Sequence, residues 1–186
     1  MKDAIDEILA TIDEAGAVAF LREVVAIDSI WGREKALAEF LAGRCREWGL
    51  GDVRLIEGRP DRPTVAARVA GAAGGRSLIF NGHIDIYELS QDWTLDPWQG
   101  AVKDGRVYGA GIADEKAGTA ALFYAAGLLA RSGFRLAGDL WVEGVPAHFE
   151  GGVGTRAARD AGILADAAIT CEASEMKLAV AHRGAA

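Results

Sequence analysis

The sequence predicts an α/β layered domain with a mainly parallel sheet and flanking helices. Three short runs, Ser77-Leu78-Ile79-Phe80, Asp139-Leu140-Trp141-Val142 and Ala167-Ala168-Ile169-Thr170, have the near-continuous apolar character of strands covered on both faces. Helical patterns separate them, so each pair of runs implies a crossover connection. With 186 residues, 51% of them hydrophobic, the chain is long enough for one domain with a substantial core.

Taken in order, residues 3 to 25 place Ile5, Ile8, Leu9, Ile12, Leu21, Val24 and Val25 at mainly helical spacing. Residues 33 to 48 repeat the pattern with Leu37, Phe40, Leu41 and Trp48, and Gly49 and Gly51 punctuate its end. Val53 to Ile56 and Thr64 to Val69 read as hairpin-forming or edge strands around the turn-prone Gly58-Arg59-Pro60-Asp61-Arg62-Pro63. A strong helix is expected from about Glu115 to Arg131, with Leu122, Ala125, Leu128 and Leu129 on one side, and a shorter one from about Thr155 to Ala161. The last ten residues, Lys177 to Ala186, read as a β-like run with no helix after it to cover it.

Composition narrows the function. Twenty Lys and Arg stand against 27 Asp and Glu, a net charge of −7, and no basic block could track a phosphate backbone. Nucleic acid is therefore not an expected partner. Cys45 and Cys171 form neither a disulfide framework nor a zinc knuckle, which suits a reducing cytoplasm. The first residues alternate acids with apolar side chains, unlike a secretory leader, and the longest apolar stretch is well short of the ~20 residues a membrane helix needs. A soluble, cytoplasmic protein is the expectation.

In open α/β sheets, ligands bind outside the carboxyl ends of the strands. Four such places carry a His or a carboxylate: Asn81-Gly82-His83-Ile84-Asp85, Gly109-Ala110-Gly111-Ile112-Ala113-Asp114, Pro146-Ala147-His148-Phe149-Glu150 and Cys171-Glu172. Such a set suits one or two divalent metals, because zinc takes imidazole nitrogen and carboxylate oxygen and a two-metal site needs a bridging carboxylate. His83 and Asp85, at i and i+2, share a face of an extended segment, so Asp85 is placed to orient His83. Each residue also has a purely structural reading: a strand-end His, a solvated carboxylate at Asp85 or Glu172, and for Asp114 an N-cap of the following helix. The Gly109-x-Gly111 turn does not support a dinucleotide site, since Asp114 stands at the third glycine position and would repel a pyrophosphate.

The block from Ser77 to Gly118 resembles one family closely. Leu-Ile-Phe-Asn-Gly-His-Ile-Asp, then Trp93, Asp96-Pro97-Trp98, then Asp104-Gly105-Arg106-Val107-Tyr108-Gly109-Ala110-Gly111-Ile112-Ala113-Asp114-Glu115-Lys116-Ala117-Gly118 follow its order and spacing. The family is the zinc-dependent metallopeptidases and amidohydrolases that include aminoacylase, acetylornithine deacetylase, succinyl-diaminopimelate desuccinylase and glutamate carboxypeptidase. The resemblance extends over nearly the whole chain. It implies that His83 and Glu172 bind one metal, that Asp114 bridges to a second, and that Asp85 orients His83. It also implies zinc, with cobalt as a substitute, and a small N-acyl amino acid or peptide substrate.

Two departures qualify that inheritance. Family members carry a Glu-Glu pair, general base and second-metal ligand, before a Gly-rich turn. Aligning Gly151-Gly152-Val153-Gly154-Thr155 on that turn puts His148 at the base position and Phe149 at the ligand position. A register shifted by one makes Glu150 the ligand and puts Phe149 at the base position. The second departure is a late His, reached in the family after an inserted dimerisation domain. His182 matches instead the His-Arg-Gly element leading into that insertion. The resemblance thus implies the N-terminal part of a catalytic domain, with the dimerisation domain and the C-terminal part of the catalytic domain outside these 186 residues. Two functions follow: a hydrolase of N-acyl or peptide amide bonds, or a non-catalytic, single-metal-binding form.

Overall fold

A computed structural model describes residues 2–72 and 74–173. The helices come first: α1 (Lys2–Leu9), α2 (Glu14–Ala26) and α3 (Lys35–Glu47). The expected helix over residues 3 to 25 is therefore two helices. The break lies where Thr11 turns back on the chain, its amide and hydroxyl both donating to the Ile8 carbonyl at 3.0 and 2.7 Å. Asp13 then takes an extended conformation before α2 restarts. The end of α3 follows from Gly49, which adopts φ 81° while its N–H donates to Arg46 O and that of Leu50 to Cys45 O, each at 3.0 Å. This paired closure favours glycine, the residue with no Cβ to clash in the left-handed region.

The strands are β1 (Gly51–Arg59), β2 (Arg62–Val69), β3 (Leu78–His83), a small hairpin β4 (Ala101–Lys103) and β5 (Arg106–Tyr108), then β6 (Leu140–Val145) and β7 (Ala167–Thr170). Helix α4 (Ala117–Arg131) joins the hairpin to β6, and α5 (Val153–Asp160) joins β6 to β7. Among the described residues the main sheet has five strands in the order β1-β2-β6-β3-β7. The three apolar runs form its parallel part, β6 and β7 flanking β3, as the crossovers require. The β1–β2 hairpin extends it antiparallel along β6, so the sheet as a whole is mixed.

Strand alternation assigns the two faces. Val65, Ala67 and Val69 of β2, with Leu140 and Val142 of β6, meet Phe20 and Val24 of α2, Leu37, Leu41 and Cys45 of α3, and Phe123 of α4 in the main core. Ala66 and Trp141 point the other way, onto Ala158 of α5 and Ile163. The result is three helices on one face and α5 on the other. One expectation needs correction: β7 is exposed along its whole length, since it is an edge strand bonded only to β3 among the described residues and two of its four side chains are alanines. No helix among the described residues is long and apolar enough to cross a membrane. The run from Lys177 to Ala186, with His182, lies outside the described residues.

Candidate metal centre

Because β3, β6 and β7 run parallel, their carboxyl ends open on one side, bringing together His83, the turn 148–150 and Glu172. Asp114 reaches the same place from a π-helical turn at 112–116 that precedes α4. It is not the N-cap of that helix, which begins at Ala117 with Lys116 in the cap position. The helix expected from about Glu115 to Arg131 is α4, with the turn at 112–116 leading into it.

His83 is buried and fully engaged. Its Nδ1 lies 2.8 Å from the main-chain carbonyl of Asp85, which can only accept, so Nδ1 carries the proton. Nε2, the other ring nitrogen, faces Asp114 Oδ1 at 2.9 Å and Glu172 Oε1 at 4.0 Å, and with the single ring proton on Nδ1 it would be an acceptor. Two acceptors at 2.9 Å repel unless a proton or a cation lies between them. An imidazole nitrogen and two carboxylate oxygens, all within 4.8 Å of one another, are the donor chemistry of a zinc-type ion, so the residues present fit a metal.

Asp85 is buried, and its two ends do different work. The main-chain carbonyl holds His83, while the carboxylate accepts from Nδ1 of His148 at 2.8 Å and stands 3.9 Å from His83 Nδ1. The orientation expected from the Asp85 side chain thus comes from its backbone. His148 stacks on His83 with ring centroids 3.6 Å apart, and a second triad of His83, Asp85 and His148 also has metal-like spacing. Burial pulls the His148 pKa down, but the hydrogen bond and charge of Asp85, with Asp114 and Glu172 nearby, outweigh it and the net shift is upward.

The structure does not bring Glu150 to this cluster. Its carboxylate accepts from Trp31 Nε1 at 2.8 Å and pairs with Arg62 at 2.5 Å and Arg59 at 3.1 Å, and Arg62 followed by Trp31 holds its pKa below the usual carboxylate range. Phe149 turns outward against Tyr87, with ring centroids 4.1 Å apart.

Three supporting residues were not singled out from the sequence. Glu115 is buried beside the cluster; one oxygen accepts the main-chain N–H of His83, and burial raises its pKa. Thr119 donates to the His83 carbonyl at 2.9 Å. Lys116, also buried, donates to the carbonyls of Val24 and Ile27 at 3.2 and 2.7 Å, and burial lowers its pKa to about 8. The signal for all three was position alone: they follow Asp114 on the turn and first coil that lie against β3.

The chain has the α/β fold of solved metallopeptidases, with a His and carboxylate cluster at the carboxyl ends of its parallel strands. The chain belongs to peptidase family M20/M25/M40, whose model matches residues 79–181. It is 32% identical over 183 residues to an N-formyl-4-amino-5-aminomethyl-2-methylpyrimidine deformylase of Halalkalibacterium halodurans, a match covering 94% of this chain and 43% of the relative. Among solved structures, human carnosine dipeptidase 1 superposes with a TM-score of 0.73 at 19% identity, covering 90% of this chain and 41% of that one. The M20 metallo-carboxypeptidase Sso-CP2 of Sulfolobus solfataricus gives 0.72 at 18%, covering 86% and 37%. The chain therefore spans about two-fifths of the length of these relatives.

Proposed function

We propose that this chain carries one metal position of an amide hydrolase acting on small N-acyl amines, N-acyl amino acids or peptides, with Zn2+ or Co2+ held by His83, Asp114 and Glu172. The observation that carries this reading is the facing pair of acceptors, His83 Nε2 and Asp114 Oδ1 at 2.9 Å, with Nδ1 already committed to a carbonyl. A bound ion would supply Lewis-acid polarisation of the amide carbonyl and a water more acidic than in bulk. The protein's own part is positional. The Asp85 carbonyl fixes the His83 tautomer, and the Asp85 carboxylate fixes His148 through Nδ1, leaving Nε2 of a neutral His148 as its proton acceptor. That is the state a general base requires. We place the family's inserted domain and the C-terminal part of its catalytic domain outside these 186 residues, and the chain in the cytoplasm, where Cys45 and Cys171 stay reduced.

A second reading, a single-metal binder without turnover, is favoured by Phe149, a side chain that cannot ligate, at the position where the resemblance has a carboxylate. The two separate in one experiment. Purified protein is dialysed against zinc or cobalt and assayed on N-formyl, N-acetyl and N-succinyl amines and on dipeptides. About one ion per chain, lost in His83→Ala and Asp114→Asn, is expected for both readings. Deacylation supports the hydrolase, binding without turnover supports the second reading, and protein that binds no ion sinks both.

A further inference from the structure

Three separate segments carry the proposed site: residues 83–86 at the end of β3, 112–116 before α4 and 148–150 after β6. One stretch that supplies no ligand, residues 27–34 between α2 and α3, is bonded to all of them. The Ile86 N–H donates to Ser29 O at 3.1 Å and the Trp31 N–H to Ile86 O at 2.8 Å, a bridge placed one residue after Asp85. Lys116 Nζ donates to Ile27 O at 2.7 Å and to Val24 O at 3.2 Å, tying the Asp114 turn to the end of α2. Trp31 Nε1 donates to Glu150 Oε1 at 2.8 Å, and Arg62 bridges Glu150 to Glu34, which ties down the third turn.

Two of these turns need such ties. The Asp114 side chain is 55% exposed, so its place opposite His83 is set by its backbone more than by packing. That backbone is anchored by the next two residues: Glu115 accepts the His83 N–H on β3, and Lys116 reaches α2. Lys116 is 1% exposed, and its ammonium meets carbonyls at a helix C-terminus, where a cation is favoured, 5.3 Å from the centre of the Trp98 ring. The His148 turn lies between two residues in the left-handed region, Ala147 at φ 61° and Gly151 at φ 68°, and its far end is fixed through the Glu150 carboxylate.

We infer that residues 27–34 form a clasp that sets the spacing of the site through two positioning residues: Lys116 holds the turn of Asp114, and Trp31 holds the turn of His148. This inference rests on the metal reading above and adds what keeps its geometry. Neither residue is a ligand, and each acts through the turn it holds. Because the two turns differ, the effects of losing the two residues separate.

The test compares the whole chain with Lys116→Met, which keeps an apolar stem, and Trp31→Phe, which keeps a ring. Tyr124→Phe, which removes a hydrogen bond to Asp13 O at the opposite end of α2, is the control. Zinc affinity is read by competition with a chromophoric chelator, exchange of the His148 Nδ1–H by proton NMR of the metal-free chain, and global stability by urea unfolding. Lys116→Met is expected to weaken zinc binding roughly tenfold or more, the scale of outer partners of a metal ligand, with His148 exchange little changed. Trp31→Phe is expected to speed that exchange roughly three- to tenfold, the scale of one hydrogen bond, with zinc affinity within about twofold of wild type. Tyr124→Phe should move neither. A readout unmoved in its own variant removes that positioning residue. Both unmoved, with only the urea midpoint shifted, or both moved equally by the control, overturns the clasp. If Lys116→Met does not fold, the exchange rate in Trp31→Phe decides, since that side chain is 53% exposed. A wild-type chain that binds no zinc removes the metal reading, and the clasp then stands or falls on the same exchange rate.

Discussion

Asp85 and His148, 63 positions apart in sequence, are joined by a hydrogen bond of 2.8 Å from His148 Nδ1 to Asp85 Oδ2. The same Asp85 holds His83 through its main-chain carbonyl, so one buried residue sets two stacked imidazoles. A carboxylate that orients a metal-bound His costs roughly 10–100-fold in metal affinity when it is lost. The carbonyl survives a side-chain change, so Asp85→Asn should lower zinc affinity by less than about tenfold relative to that range. The His148 Nδ1–H signal in proton NMR should meanwhile exchange away. A loss of a hundredfold, measured by competition with a chromophoric chelator, would assign the orienting role to the carboxylate instead.

The turn that carries His148 is tied down by a buried ion pair. Arg62 makes a two-pronged contact with Glu34, Nε to Oε2 at 2.9 Å and Nη2 to Oε1 at 2.6 Å, and also reaches Glu150 at 2.5 Å. Glu34 is fully buried, so Arg62→Met strands its charge and should cost about 3 kcal/mol in urea unfolding. Adding Glu34→Gln to Arg62→Met should recover much of that loss, because the penalty is the unpaired charge and not the missing contact. Equal and additive losses in the two single variants and the double would refute the coupling.

These relationships mark the boundary of what the sequence could show. Apolar periodicity gave α3, α4, β2, β3 and β6, because each element's face is written in consecutive residues. It did not show the break at Thr11, where a hydroxyl and an amide capture the same carbonyl, nor the exposure of β7, where short side chains follow the pattern of a buried strand at a sheet edge. The residues gathered around His83 were legible as strand-end chemistry. Glu150 was not: its acidity and position suited a ligand, and only the folded chain reveals Arg59, Arg62 and Trp31 competing for it. Long polar side chains choose partners across the fold, and local pattern does not encode that choice.

Gly82 is a place where one methyl group should disturb both folding and metal binding. A Cβ there would lie 2.4 Å from Thr119 Oγ1 and 3.1 Å from Glu115 Oε1 and Cys171 Sγ. Thr119 and Glu115 both hold the His83 backbone, so the strain is delivered to the proposed metal ligand. Gly82→Ala is expected to cost roughly 1–3 kcal/mol, the usual range for overpacking, and to weaken zinc binding. Pairing it with Thr119→Ala removes the nearest clash and should restore part of the stability. No recovery in the double variant, followed by thermal melting, would mean that the strain lies elsewhere.

Glu143 supplies a pH dependence outside the proposed ligand set. It sits in the middle of β6, where burial raises its pKa and a hydrogen bond from Asn81 Nδ2 at 2.6 Å only partly offsets the effect. Its Oε2 has no hydrogen-bond partner among the described residues. The folded-state pKa therefore exceeds the unfolded one, so between the two values the folded state binds more protons. Stability then falls as pH rises through that window and stays level above it. Glu143→Gln keeps the shape, removes the buried charge, and should flatten this slope while raising the melting temperature at neutral pH. Melts of both proteins from about pH 4.5 to 8 decide the matter, with 4.5 close to the ordinary glutamate value. If the wild-type chain gains stability relative to the variant as pH rises across that range, the carboxylate is better solvated than its surroundings indicate and the assignment fails.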